Sequence, residues 1–333
     1  MSQASTAGAA NPLNHDVVWW TLTIQPTRKD FTDAVIGHIV TPFAAQARIW
    51  GAERWTYSRH LAPTNPSVQV RVLASPGVFE RLQSFALALV QLSAPHLGEV
   101  EISISGSDPV PTRWNTEPVP AYVEAALAKF GGLEGIALAA EVSELGSDLA
   151  VWAVARFPGA NSRSPLAALL LHDSCHAMMR GPRSSTWPDR RAVSWDFYWD
   201  AHLRSCTASL GSEAARRRDL LTGQLAPRVP PAHRLMAATA SEPAVANWRR
   251  RWSKAIDSYL YRADKEKVSR SALHLTMYQT SQLLNRLGIT LLDQAALGLF
   301  ARTWSRDREA DLLAGRSGGR RNGRPADGEP ASR

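Results

Sequence analysis

The stretch "VQVRVLASPGVFERLQSFALALVQLS", residues 68–93, decides the fold. Its first residues alternate apolar and polar with a period of two, which places Val68, Val70 and Val72 on one face of a strand. Pro76 then opens a new pattern, at a first-turn position where its missing N–H costs nothing. From there apolar residues recur at three- and four-residue spacing, as they do on a helix. Outward from this strand-helix pair, "EVEISISGS" (99–107) alternates again. "RWTYSRH" (54–60) reads as a strand followed by the turn "LAPTNPS", and "VVWWTLTIQ" (17–25) as a β-rich run bounded by Pro26. "FTDAVIGHIVTPFAAQARIW" (31–50) has a helical period, with Pro42 expected to kink or break it. The order β-α-β-β-α-β is that of a ferredoxin-like sheet.

After the Pro-rich connector "DPVPTRWNTEPVP" (108–120) every periodic segment is helical. The chain is therefore expected to be α+β. A disordered lead-in (1–15) precedes a ferredoxin-like portion (16–107), the connector (108–120), a large helical portion (121–310) and a disordered basic tail (311–333). With 333 residues, 44% of them apolar, it can bury a substantial core. No apolar run approaches the roughly 18–20 residues of a membrane span, and the N-terminus lacks the basic-then-apolar layout of a signal peptide. Cys175 and Cys206 make no disulfide framework, so a reducing cytoplasm is the expected setting.

Net charge is +8, with five arginines against Asp327 and Glu329 in the last twenty residues. The remaining surplus clusters in "ARRRD" (215–219) and "WRRRWSK" (248–254), where Trp248 and Trp252 share a helix face and are expected to line a groove. Such a surface suits an acidic peptide. Nucleic acid is not expected, because no zinc-finger spacing, helix-turn-helix or RNP pattern accompanies it. "HDSCHAMMR" (172–180) puts His172, Cys175 and His176 on one helical face at metal-ligand spacing, but no fourth ligand clusters with them, and no metal is assigned. A phosphate loop and a nucleophile elbow are both missing, so no cofactor is expected.

"SALHLTMYQTSQLLNRLGIT" (271–290) is the richest candidate. Leu273, Met277, Leu284, Leu287 and Leu291 form its apolar face, with Thr280 among them. Gln279, Gln282 and Arg286 are expected to face water. Between the faces lie His274, Tyr278, Ser281 and Asn285, spaced 4, 3, 4, a line of imidazole, phenol, hydroxyl and carboxamide along one edge.

Three patches together resemble one family. "WTYSRHLAPTNPSVQVRV" (55–72) is similar to its tryptophan-aromatic stretch with a later HLRLR, "YVEAALAKFGG" (122–132) to its Tyr, Glu and RYGG, and "SQLLNRLGI" (281–289) to its HMxxNRLG helix. The family is the C-terminal elimination domain of lantibiotic dehydratases, with the related stand-alone thiopeptide proteins. The positions of the family's working groups fall at Gln69, Arg71, Lys129 and Ser281, and only Arg71 is kept. Replacement of the histidine by Ser281 disfavours glutamyl elimination. The resemblance therefore implies a thiopeptide pyridine synthase, which joins two dehydroalanines of a leader-bearing azole peptide by a formal aza-[4+2] cycloaddition without cofactor. Tyr278, Ser281, Arg71 and His274 are the implied catalytic residues, and Gln69, Lys129, Asn285, Ser271, Trp248 and Trp252 the implied substrate contacts. The leader is expected on a basic, apolar groove away from the reacting groups; a homodimer is allowed. Two alternatives stay open: a β-elimination lyase acting on glutamylated peptides, and a non-catalytic leader-binding subunit.

Overall fold

The alternating segments build a four-stranded antiparallel sheet from β1 (Val18–Pro26), β2 (Arg54–His60), β3 (Ser67–Ala74) and β4 (Val100–Asp108), in the order β2-β3-β1-β4. A computed structural model describes residues 17–28, 31–62, 64–108 and 121–321. Trp55 and Tyr57 lie opposite Val72 and Val70, which in turn lie opposite Trp20 and Leu22, so one face is apolar across three strands. That face is buried in one core with Ile36, Ile39 and Phe43 of the first helical region and Leu82 of α3 (Phe79–Leu97). The opposite face carries Thr21, Thr23, Gln69 and Arg71 and remains polar.

Pro42 does not break its helix. α1 (Thr32–Val35) runs through a π-helical turn (Ile36–Val40) into α2 (Thr41–Ile49). In an α-turn the proline ring would meet the carbonyl four residues back. The wider turn avoids this, and both the Thr41 N–H and the Thr41 hydroxyl (2.8 Å) donate to the Ile36 carbonyl.

The helical portion comprises α4 (Ala121–Phe130), α5 (Leu133–Arg156), α6 (Ala160–Arg180), α7 (Pro188–Arg191), α8 (Trp195–Thr207), α9 (Ala214–Leu225), α10 (Val229–Ala240), α11 (Pro243–Lys265), α12 (Ala272–Arg286), α13 (Leu291–Arg302) and α14 (Arg306–Arg321). α6 runs through its middle, with residues 166–171 all buried. Trp252 is in this core rather than in a groove: it is 1% exposed and its indole donates to the Ser174 hydroxyl at 2.8 Å, because α11 packs directly along α6. α14 carries helix past residue 311, where a disordered tail was expected, since Leu312 and Leu313 pack against the core. The lead-in, nearly all of the connector and the end of the tail lie outside the described residues.

Sheet and helices join at β2, an edge strand. A bare edge leaves every second N–H and C=O unpaired. Here side chains complete it. The Tyr57 N–H donates to Ser147 Oγ of α5 (3.2 Å), and the Arg59 N–H to Asn285 Oδ1 of α12 (2.9 Å). In return the Asn285 amide donates to the Arg59 carbonyl (2.8 Å) and Arg286 Nε to the Tyr57 carbonyl (2.6 Å). β2 also closes the end of α12, whose last carbonyls have no partners within the helix. The Arg286 carbonyl accepts from Tyr57 Oη (3.0 Å) and Arg59 Nε (2.8 Å), and the Leu287 carbonyl from Arg163 Nε of α6 (2.7 Å). Cations suit the negative end of a helix dipole. Gly288 turns the chain away at φ 80°, and a Cβ there would lie 3.3 Å from both arginines.

Asp33 on α1 balances this pair, meeting Arg59 at 2.6 Å and Arg163 at 2.9 Å. Burial alone would raise the Asp33 carboxyl. The two guanidiniums outweigh it and hold the group below its ordinary value. A carboxylate with a depressed folded-state pKa adds stability that is present above its unfolded pKa and is lost as pH falls through the folded one. Asp33→Asn should therefore flatten the acid limb of the stability curve, measured by denaturant titration across pH. At neutral pH it should cost about 2–4 kcal/mol, because two buried arginines lose their counter-charge.

Candidate functional site

α12 begins at Ser271, whose hydroxyl oxygen accepts the His274 N–H (3.2 Å), so this residue acts as a helix cap. α5 and β2 cover the side of α12 that was expected to face water. Gln279 is fully buried, donating to the Ala139 carbonyl (3.3 Å) and accepting from the Ser143 hydroxyl (3.4 Å). Arg286 is 3% exposed and reaches past the sheet edge to Thr56 Oγ1 (2.9 Å). Burial pulls its guanidinium down to about 10, with the nearby Tyr57 and Tyr278 hydroxyls opposing that shift. Gln282 is half-buried and Leu291, at the next helix start, is exposed.

The polar strip divides into two kinds of residue. His274 and Asn285, at its ends, are engaged by backbone: His274 Nε2 lies 3.1 Å from the Lys129 carbonyl, and Asn285 pairs with Arg59. Tyr278 and Ser281, in the middle, are half-buried, and among the described residues neither hydroxyl has a hydrogen-bond partner in the protein. The Tyr278 ring is set from outside. Phe130 meets it edge-on (centroids 5.2 Å apart), and the Lys129 ammonium stands 3.9 Å from its centre. Lys129 and Phe130 end α4 just before Gly131 and Gly132, both at positive φ, and Gly131 lies so close to Val268 and Ser269 that no side chain would fit. This turn brings the end of α4 against α12.

The structure thus joins Lys129, His274, Tyr278 and Ser281 in one place. Arg71 and Gln69 are on β3, on the polar face of the sheet. Arg71 lies opposite Thr56, the residue that Arg286 reaches, and its guanidinium sits 4.8 Å from the Trp19 ring. Gln69 lies opposite Ser58, one residue from the Arg59–Asn285 clamp. Trp248 is elsewhere, packed with Trp152 and with Arg251 over its ring at 4.1 Å. His172 faces Asp173 (3.6 Å) and Trp195, and the Cys175 thiol, pushed up strongly by burial, faces Met179. Among the described residues no three His, Cys, Asp or Glu side chains converge as metal ligands, and no helix is long and apolar enough to cross a membrane.

Arg59, Arg163 and Asp33 escaped the sequence reading, and Arg286 was expected to face water. One signal was present: the period of two in "WTYSR" puts Arg59 on the same face as Trp55 and Tyr57, and a charge on a core face needs a partner.

A clamp and a site residue should respond differently to substitution. Asn285→Ala strands an N–H and a carbonyl on β2 and should lower stability by about 1–3 kcal/mol. Tyr278→Phe breaks no bond within the described residues and should leave the urea midpoint near that of the wild type.

The family model described as "Lantibiotic biosynthesis dehydratase C-term" matches residues 19–303. Among solved structures the chain is similar to the pyridine synthase TbtD from thiomuracin biosynthesis, at 18% identity and a TM-score of 0.54, covering 89% of this chain and 99% of that one. It is likewise similar to TsrL, at 14% identity and a TM-score of 0.54, covering 90% and 96%. At these identities the likeness is one of fold. No curated protein matches.

Proposed function

The chain belongs to the lantibiotic dehydratase C-terminal family, and from that premise we propose that it is a thiopeptide pyridine synthase acting on a leader-bearing, dehydrated azole peptide. The observation that carries this reading is the pair of unengaged hydroxyls, Tyr278 and Ser281, held between two engaged neighbours on a half-buried helix edge. Such a wall offers hydrogen bonds to a peptide amide without a strong base, which suits a reaction that moves protons but needs no external electrons.

In this reaction one dehydroalanine and the amide before it, as its iminol tautomer, form a 2-azadiene. The second dehydroalanine is the dienophile. Two new bonds, one C–C pair at each end of the diene–alkene contact, close a six-membered nitrogen ring. Loss of water, then of the leader as its carboxamide, leaves an aromatic pyridine and a closed macrocycle. Hydrogen and oxygen balance through those two eliminations, so no oxidant is consumed. The largest barrier is bringing two distant alkenes together, and such positioning is worth up to roughly 7–11 kcal/mol. Tyr278 and Ser281 donate to the amide oxygen as it gains iminol character and then serve the leaving groups, each preorganised donor contributing about 3 kcal/mol. His274 and Asn285 fix the strip, Lys129 holds the Tyr278 ring and supplies positive charge beside it, and Arg71 on the polar sheet face receives a substrate carbonyl. The ferredoxin-like portion (16–107) and the helical portion (121–310) then act as the two walls of one site.

Purified protein mixed with a bis-dehydroalanine azole peptide tests the reaction by mass spectrometry. Loss of water and the leader, with ring closure, supports it. A glutamate-sized loss from a glutamylated peptide would instead make the chain an elimination lyase, and no turnover of either substrate would leave a binding subunit. Tyr278→Phe and Ser281→Ala should each slow cyclisation about ten- to a thousandfold, the range for losing one preorganised donor or proton-transfer partner, with fold and peptide affinity kept.

A further inference from the structure

The sheet has two edges, and only one of them is closed. Ser147, Asn285 and Arg286 complete β2. The direction of the backbone bonds can be followed from there to β4, because it alternates along each strand. Tyr57 and Arg59 donate outward from β2, so Thr56 and Ser58 bond to β3, opposite Arg71 and Gln69. Val70 and Val72 are then left for β1, opposite Leu22 and Trp20. Thr21 and Thr23 are left for β4, opposite Ser105 and Ser103. The backbone groups of Val100, Ile102 and Ile104 therefore point out of the sheet, and among the described residues none of them has a hydrogen-bond partner. Open edges are usually blunted by Lys, by Pro or by a charge turned inward. "VEISIS" (100–105) has none of these, since its one charge, Glu101, is on the exposed polar face. The apolar side of the strand is incompletely covered: Val100, Ile102 and Ile104 pack on the core, yet each is only half-buried.

We infer that β4 pairs antiparallel with β4 of a second copy of this chain. One register uses every outward group. Ile102 stands opposite Ile102 of the second copy, with Val100 opposite Ile104 on either side, each pair exchanging both of its N–H···O bonds. On the polar face Glu101 meets Ser103 and never a second carboxylate. On the apolar face isoleucine meets isoleucine or valine, which covers the flanks that β4 alone leaves bare. The register shift opposite Trp19 and Thr21 ends the regular strand just beyond Ser105, so the partner is confined to this stretch. The two-fold axis stands perpendicular to the sheet, which makes one continuous sheet with both polar faces on the same side. This fit of the strand to itself, in charge and in shape, favours a second copy over an unrelated extended peptide. The interface uses none of Tyr278, Ser281, Lys129 or Arg71 and is independent of the reaction proposed above.

Sedimentation equilibrium of the full chain over a dilution series measures this pairing. Wild type should pass from twice the chain mass to the chain mass as it is diluted. S103E sets a second carboxylate opposite Glu101 at both symmetric positions, with Cα atoms about 4.5 Å apart, and should weaken association at least about tenfold. E101K/S103E sets lysine opposite glutamate at the same positions and should return association to near the wild-type value. The two variants share the change at residue 103, so a fold damaged by that change would leave both weak. Hydrogen–deuterium exchange gives a second readout. The Ile102 and Ile104 amides should exchange slowly in concentrated wild type and fast in dilute, while the Ser103 amide, which is bonded to β1, stays slow in both. A single chain mass at every concentration, association indifferent to S103E, or E101K/S103E as weak as S103E would overturn the inference. So would protection of Ile102 and Ile104 that appears only when an azole precursor peptide is added to a chain that stays monomeric, since the edge would then hold a peptide strand.

Discussion

The free edge of β2 and the C-terminal end of α12 satisfy each other, and the arrangement of everything else depends on that exchange. Each element alone would be left with unpaired backbone groups, a cost of about 1–3 kcal/mol for each that is buried. Asn285 and Arg286 complete the strand edge, while Tyr57, Arg59 and Arg163 complete the helix end. The exchange puts two buried guanidiniums beside the helix terminus, which requires Asp33, and it leaves residue 288 at a positive φ with both guanidiniums 3.3 Å from where a Cβ would stand. The "NRLG" run is thus first of all a docking device.

That docking fixes the register of α12 against both the sheet and α4. With its ends held by Asn285 against β2 and by His274 against the end of α4, the helix keeps Tyr278 and Ser281 between two fixed points. The division of labour along one helix edge explains why four polar residues stand in line. Two anchor the edge, and the hydroxyls of the other two have no hydrogen-bond partner among the described residues. The same logic separates cations elsewhere in the chain. Arg249, Arg183 and Arg191 hold helices together through carboxylates, and Arg180, Arg250, Lys254 and Arg306 are left over around a cavity.

The ferredoxin-like order was legible because its strands bury one face and so alternate strictly, as Val68, Val70 and Val72 do. The long helices were legible for the same reason at a period of 3.6. What the pattern could not show is how many neighbours an element has. α12 was read as having a wet face at Gln279 and Arg286, and both are buried, because β2 and α5 approach from that side. Trp252 and Trp248 share a helix face in sequence, yet Trp252 is sealed against Ser174 while Trp248 is only half-buried. At Pro42, where a kink or a break was expected, the helix continues through a π-turn, a local adjustment that propensity does not encode. The ionic lock of Asp33, Arg59 and Arg163 spans 130 residues between its outer members, and nothing short-range announces such a contact except a charge on the apolar face of a strand.

Hydrogen–deuterium exchange at single backbone amides of β2 tests the exchange between strand edge and helix end most directly. The Tyr57 and Arg59 N–H groups point away from β3, and in an ordinary edge strand they would exchange freely with water. Because they donate to Ser147 and Asn285, they should exchange as slowly as the amides of the central strands β1 and β3. Rapid exchange at both positions in the folded protein would show that the edge is open and that α12 is not held as described.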